Sequence, residues 1–494
     1  MDNQNTLVAA WQGAAVYTYT PPFHPQENYP EYELGITGVE PNPAYLGVRV
    51  CLGKLGLDAA HFGTPHWNPL REVIHPGNQV VIKPNFVLSR HVQGGNLFSI
   101  ITHPSVLRAV VDYVYKALGG EGEIVIADAP QMDCNFQELL EVTRLASIQE
   151  LYWEHYRFPI QVLDLRNFWL EANLDEQIAS MEKRFPLPGD PQGCTLVNLG
   201  RKSAFSNASH LDRIYGADYN RQETIAHHHG DVHEYSISRT VLNADVLISV
   251  PKLKVHKKVG VTLNTKGLVG ISTNKNLLVH YTLGTPDQGG DQFPANTLST
   301  REKMIVQSQR YLYDALLARQ DPALERVYNS IVKGYRSLVK PWLGGVAAEK
   351  RLLDGGNWHG NDSAWRMAVD LMRIATFVDK DGVLKETPQR KVFSVVDGII
   401  GGENNGPLVP DAKAAGVILA GFNPLAVDIV GVRLMGFDWR KLAWIPKLLE
   451  DGFCVAPEEI QILSDEADFR SALSSRNLLL GFTPHPGWRG VIEI

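Results

Sequence analysis

Cysteine is scarce. The chain of 494 residues carries four, Cys51, Cys134, Cys194 and Cys454, scattered and without a C-x-x-C pair. That pattern argues against a disulfide framework and against a cysteine-held zinc or iron–sulfur centre. An excess of positive charge is missing too. The formal net charge is −7, whereas coating nucleic acid requires a basic face, so no nucleic-acid partner is expected. Long apolar runs are also absent. The best of them, Gly416–Gly436, is broken by Asn423, Pro424, Asp428 and Arg433. A membrane-spanning helix needs about 20 apolar residues, so this stretch is expected to be a buried strand and helix. The start, Met1-Asp2-Asn3-Gln4-Asn5-Thr6, has neither a basic nor an apolar leader region, and a cytoplasmic protein is expected. Internal repeats and low-complexity tracts are lacking.

What remains is an ordinary globular composition, 44% hydrophobic and 20% charged. The length exceeds one average core, which predicts two lobes or one decorated domain. Residues 1–75, rich in Pro, Tyr and Asn, read as an irregular lead-in with a short strand or two. Residues 76–290 form an N-terminal α/β part. Gln79–Lys83 is a short apolar strand. Pro104 opens a helix with Val106, Leu107, Val110, Val111, Val114, Tyr115 and Leu118 at helical spacing, closed by Gly119-Gly120. Glu123–Ala127 is the next strand, and a strand–helix–strand unit predicts a parallel sheet. Ligands then bind beyond the carboxyl ends of the strands, here Lys83-Pro84-Asn85 and Asp128-Ala129-Pro130. Ile160–Leu165 and Asp245–Val250 are further strands. Residues 291–345 read as a helical insertion, as in Met304–Ala318, placed to cap the site. Residues 346–494 return to an α/β pattern, with strands at Lys391–Val396 and Gly416–Ala420. The expected fold class is α/β, a mostly parallel sheet with flanking helices and a helical insertion.

The densest chemistry is Pro251-Lys252-Leu253-Lys254-Val255-His256-Lys257-Lys258, followed by Asn264-Thr265-Lys266-Gly267, Lys275 and His280. Six lysines and two histidines fall within thirty residues of an acidic protein. Crowded ammonium groups repel, so an anion or carboxylates should sit among them, and one of them should lose its proton readily. A solvated basic loop is the competing interpretation. Leu253, Val255, Val259, Val261 and Leu263 interleave with the lysines, so half the segment is expected to be buried. Imidazoles move protons or bind metals near neutrality, and a desolvated lysine serves as base, covalent anchor or oxyanion partner. The candidate catalytic residues are His256, Asp128 and Lys266. The candidate substrate-binding residues are Lys83, Asn85, Lys252, Lys254, Asn405 and Asp428.

Asn405 lies in Gly401-Gly402-Glu403-Asn404-Asn405-Gly406-Pro407, a glycine-rich turn that is either anion-binding or structural and lacks the P-loop ending. Asp428 follows the N-cap Asn423 and Pro424 and is expected to be half-buried and paired. His227-His228-His229 with His233 resembles a metal tract, but Asp231 and Glu234 beside them suit a solvated loop. Asn361 or Asp362 is expected to cap the helix Ala364–Thr376, near a ring-stacking surface of Trp358 and His359.

In order along the chain stand Ile82-Lys83-Pro84-Asn85, Thr102-His103-Pro104, Ile126-Ala127-Asp128-Ala129-Pro130, Asp245-Val246-Leu247-Ile248, Pro251–His256, Lys266-Gly267-Leu268-Val269-Gly270, Asp397-Gly398 with Asn405-Gly406-Pro407, and Asn423–Asp428. This succession resembles domain-of-unknown-function family 362 over residues 79–436. Many members carry a ferredoxin-like cysteine cluster, which this sequence lacks, so no iron–sulfur cluster is implied. A more distant likeness is to the nickel-pincer lactate racemase family, in which a histidine, a lysine ten residues on and a second histidine follow one another, as His256, Lys266 and His280 do here. That likeness implies His256 as acid/base, Lys266 as the cofactor-bonded residue and His280 as a metal ligand, with a nickel-pincer nucleotide as cofactor. The family's Asp-Thr-Arg-Pro motif is replaced by Lys83-Pro84-Asn85, and its glycine pair by Asn264-Thr265.

The expected function is an enzyme acting on a small anionic, hydroxyl-bearing substrate, such as a sugar acid or glycosyl phosphate. Its chemistry would be proton or hydride transfer, assisted by a divalent metal at His280, as in an isomerase, epimerase or oxidoreductase of polysaccharide or secondary metabolism. The alternative is a non-catalytic anion- or nucleotide-binding protein with the same basic cleft. Asp128 separates them, since a pure anion binder gains nothing from a carboxylate there.

Overall fold

The computed structural model describes residues 2–173, 178–218, 220–317, 321–339, 346–475 and 477–494. Its central sheet has ten strands. In chain order they are β1 (Leu7–Gln12), β2 (Gln79–Pro84), β3 (Glu123–Asp128), β4 (Ile160–Asp164), β5 (Val246–Val250), β6 (Lys252–His256), β7 (Gly260–Val261), β8 (Lys391–Glu403), β9 (Asp411–Gly421) and β10 (Gln461–Leu463). Across the sheet the order is β10-β1-β9-β8-β5-β2-β3-β4, with β6 paired to β7 and β8. Strands β8, β5, β2, β3 and β4 run parallel to one another. Strands β9 and β1 add an antiparallel flank.

The parallel strands are continuous apolar runs because both of their faces are covered. Val80, Ile82, Ile124, Ile126, Val246 and Ile248 pack on one core with the helices Pro43–Lys54, Pro104–Leu118 and Leu145–Tyr156. Val81, Val125, Ala127 and Leu247 face the opposite core with the helices Ala364–Phe377 and Pro424–Met435. The helix between β2 and β3 starts at Pro104, where the His103 side chain accepts from Ser105 N, and ends at Gly119 in the left-handed region, φ 61°. The lead-in is more integral than its composition suggests: β1 lies between β9 and β10, and Asn42 caps the helix Pro43–Lys54.

The chain steps outward through β2, β3 and β4, then returns to the other side of β2 as β5. The crevice beyond the carboxyl ends of β2 and β5 is therefore the topological switch point, where open α/β sheets hold ligands. Pro251 interrupts the strand there, and β6 continues alongside β8 with Lys252 opposite Asp397 and Lys254 opposite Gly402. Gly401-Gly402-Glu403, expected to begin a glycine-rich turn, instead remains in β8. A side chain at Gly402 would stand 2.5 Å from Ser99 O, and one at Gly398 would stand 2.9 Å from Val417 O, so glycine there admits neighbouring backbone.

The expected insertion is helical over Thr300–Leu312 and Pro322–Gly334, each extended by a wider turn to Leu317 and Val339. Residues 318–320 and 340–345, which fall in that expectation, lie outside the described residues. The insertion docks through Arg310, whose guanidinium lies over the stacked rings of Tyr215 and Tyr281, and through Asp314, which accepts from Tyr215 Oη at 2.8 Å. No helix among the described residues is long and apolar enough to cross a membrane.

Candidate functional site

A cavity of about 270 Å³ opens at the switch point. Its wall comes from the residues after β2 (Asn85, Phe86, Val87), after β3 (Asp128–Met132), from β6 and its continuation (Lys254, His256, Lys257, Lys258), from the turn Thr262–Gly270, and from Lys275, His280, Pro407 and Leu408. Of the expected site residues, Asn85, Asp128, Lys254, His256, Lys266 and His280 therefore share one concavity.

The other four stand elsewhere. Lys83 lies behind the wall, donating to Asp128 Oδ1 at 2.8 Å and to Pro84 O at 2.6 Å. Lys252 is fully buried, donating to Asp397 Oδ2 at 3.0 Å and Tyr17 Oη at 2.7 Å, which makes it an internal ion pair. Asn405 is exposed in the loop between β8 and β9, outside the cavity wall. Asp428 is wholly buried, and its oxygens accept from Asn264 N, Asn264 Nδ2, Thr265 N and Thr265 Oγ1 at 2.7–2.9 Å. It fastens the short helix Leu263–Gly267 that carries Lys266, and burial pushes its carboxyl up to about 6.

Asp128 has its carboxylate on the cavity wall but already partnered. Oδ2 accepts from Phe86 N at 2.6 Å, and Oδ1 holds Lys83. Gly270 makes this possible: a side chain there would stand 1.6 Å from Asp128 Oδ1 and 2.5 Å from Lys83 Nζ. The pairing removes the reason for regarding Asp128 as a mobile acid or base, and with it the criterion that separated an enzyme from an anion binder.

Five lysines line the cavity, Lys254, Lys257, Lys258, Lys266 and Lys275, against that one neutralised carboxylate. Three are tied to backbone carbonyls. Lys254 donates to Ile100 O at 2.5 Å, Lys275 to Ala129 O at 2.7 Å and Val269 O at 3.2 Å, and Lys258 to Gly355 O. Lys257 and Lys266 have no such partner for Nζ among the described residues. Burial lowers the proton affinity of all five. Lys266 falls to about 7 through desolvation and then the charge of Lys83, and Lys275 falls to about 7 chiefly through desolvation. Lys254 and Lys258 are pushed further down, with neighbouring lysines adding to desolvation.

The two imidazoles hold opposite tautomers. Lys258 N–H can only donate, so His256 Nδ1, 3.1 Å away, is the acceptor and the ring proton sits on Nε2. Leu278 C=O can only accept, so His280 Nδ1, at 2.8 Å, is the donor and Nε2 bears the lone pair. Burial, then the charge of Lys266, drives both rings well below the usual histidine range, so both are neutral near pH 7. The cavity thus presents an N–H from His256 and a base from His280. Two wall atoms are buried without a partner among the described residues, Asn85 Oδ1 and Thr262 Oγ1.

A resident divalent cation does not fit this wall. Among the described residues no three His, Cys, Asp or Glu side chains gather to hold one. The single lone-pair imidazole stands among ammonium groups, and the one carboxylate is taken by Lys83. The histidine tract lies apart from the cavity. His228 and His233 are buried in a small sheet, with His228 Nε2 donating to Leu277 O at 2.8 Å, and His227 Nδ1 meets Glu234 at 2.6 Å.

Matching against known families decides the kinship. A family model described as a domain of unknown function, DUF362, covers residues 80–172 and 189–433. The chain belongs to the DUF362 family. Both the cavity-forming strands and the turn that bears Lys266 fall inside the matched residues. No curated protein and no solved structure matches the chain significantly, so the likeness to lactate racemases rests on motif spacing alone. Sequence inspection gave no role to Lys257, Lys258 and Lys275 individually, although they belong to the lysine cluster itself. Tyr17 and Asp397, which neutralise Lys252, left no local signal, because both lie far along the chain from it.

Proposed function

We propose that this DUF362 protein is an enzyme acting on a small anionic, hydroxyl-bearing substrate, with Lys257 and Lys266 holding the anion and His280 Nε2 taking a proton from it. The observation that carries this reading is the excess of five lysines over one already paired carboxylate in the cavity wall. Its size, near the low end of small-molecule sites at about 300–1,000 Å³, suits a sugar acid or glycosyl phosphate. The unpartnered Asn85 Oδ1 and Thr262 Oγ1 suit substrate hydroxyl groups, since buried polar atoms are normally paired. A plain anion trap would be served best by fully charged, fixed cations. A proton-accepting imidazole and a partner-free lysine near neutrality favour acid/base chemistry instead. The rival is a non-catalytic anion-binding protein, and Asp128, held by Lys83, no longer separates the two.

The test is calorimetric titration of phosphate and of small sugar acids into the purified protein and into Lys266→Glu. Saturable binding to the parent and none to the variant is expected. Equal binding by both, or by neither, would remove the cavity from consideration.

A further inference from the structure

Within the anion-binding cavity just proposed, Lys266 is distinguished from Lys254, Lys258 and Lys275 by how it is held, and from Lys257, which is only half-buried, by its burial and by the packed turn beneath it. Lys254, Lys258 and Lys275 donate from Nζ to backbone carbonyls, which fixes their side chains as part of the cavity wall. Lys266 Nζ has no hydrogen-bond partner among the described residues, yet its residue is 7% exposed and lines the cavity. The turn beneath it is built with unusual care. Leu263, at its start, adopts a left-handed φ of 42°, which is costly for a branched apolar residue. Asp428 fastens the next two residues through four hydrogen bonds, and Ser394 Oγ donates to Asn264 Oδ1 at 2.8 Å. Strain held by surrounding structure is characteristic of positions where side-chain placement serves function. The outcome is a lysine placed rigidly, buried among other cations, with its nitrogen free.

We propose that Lys266 is a nucleophile that forms an imine with a small anionic carbonyl compound, an aldehyde or ketone bearing a carboxylate or phosphate. This rests on the cavity being an anion site and names the substrate class within it. The Nζ lone pair attacks the carbonyl carbon while the C=O π pair moves to oxygen. A proton passes from nitrogen to that oxygen, for which His280 Nε2 is the available relay, giving a carbinolamine. The hydroxyl then leaves as water with one further proton as the C=N bond forms, so no oxidant or reductant is required. The protonated imine withdraws electrons from the adjacent carbon, and His280 Nε2 is the base to take a proton from it. The neighbouring lysines hold the anionic end and, by their charge, favour the neutral, nucleophilic form of the amine.

The experiment treats the whole protein with glyoxylate, the smallest carbonyl acid, and borohydride, followed by intact mass and peptide mapping. A single reduced adduct at Lys266 is expected, blocked by excess phosphate and absent from Lys266→Met. Lys266→Met should keep its melting temperature, since Nζ makes no hydrogen bond or ion pair among the described residues. Phosphate binding to the parent without a glyoxylate adduct at Lys266 would overturn the imine and leave the anion site standing. Absence of both would overturn the two together, and adducts spread over exposed lysines alone would count against Lys266.

Discussion

A buried ammonium group is tolerated in one of three ways here, and each fixes what the residue does. Lys83 and Lys252 meet carboxylates and become internal ion pairs. Lys254, Lys258 and Lys275 donate to carbonyls and stay as cavity wall. Lys257 and Lys266 do neither among the described residues, and in the proposed function their nitrogens meet the ligand. The carboxylate of Asp428 belongs to the same scheme although it touches no lysine, because it orders the backbone that aims Lys266. Replacing Asp428 by Ala leaves several buried donors unpaired, each costing about 1–3 kcal/mol. A loss of roughly 3 kcal/mol or more in denaturant unfolding is therefore expected, together with weaker anion binding. If Asp428→Ala unfolded like the parent, the fastening role would be wrong.

At the scale of elements, the site is the meeting of strand ends with one tightly packed turn. Gly270 lets that turn lie directly on the Lys83–Asp128 pair, with no room for a methyl group. Gly270→Ala must part this buried pair or displace the turn, and breaking a buried pair costs about 3–5 kcal/mol. The substitution should lower stability by at least about 2 kcal/mol, read from the shift of the denaturation midpoint. A crystal structure of the variant with the pair intact and unchanged stability would contradict this packing.

The strands around this turn were legible as sequence, because apolar runs such as Val80-Val81-Ile82 and Ile124-Val125-Ile126 are what a doubly covered sheet requires. The helix Pro104–Leu118 was legible from its proline start and glycine stop. Pairings were not legible. Lys252 and Asp397 are 145 residues apart, and Lys83 and Asp128 are 45 apart. Only the folded register decides which lysine receives a carboxylate and which is left to the cavity. Asn405 falls outside the cavity wall for a related reason: the glycines beside it serve β8 and the packing of Val255 against Gly406, the structural of the two readings.

Over the whole molecule, sheet topology concentrates positive charge in a protein that is acidic overall. The crevice between β2 and β5 gathers the strand ends that carry it, and the two cores on either side of the sheet hold those ends in place. This arrangement has a protonation signature. In the free protein Lys266 and Lys275 titrate at about 7, so above that pH they are mostly neutral. A bound anion favours the charged form and raises both values, so binding draws protons from solution, and affinity falls as pH rises through and beyond 7. The most direct test is phosphate titration at pH 8 by calorimetry in buffers of different ionisation enthalpy, which counts the protons exchanged. Net proton uptake on binding, reduced in Lys266→Met, is the predicted result. Binding without proton exchange, or with proton release, would contradict the account of a cavity lined by desolvated lysines awaiting an anion.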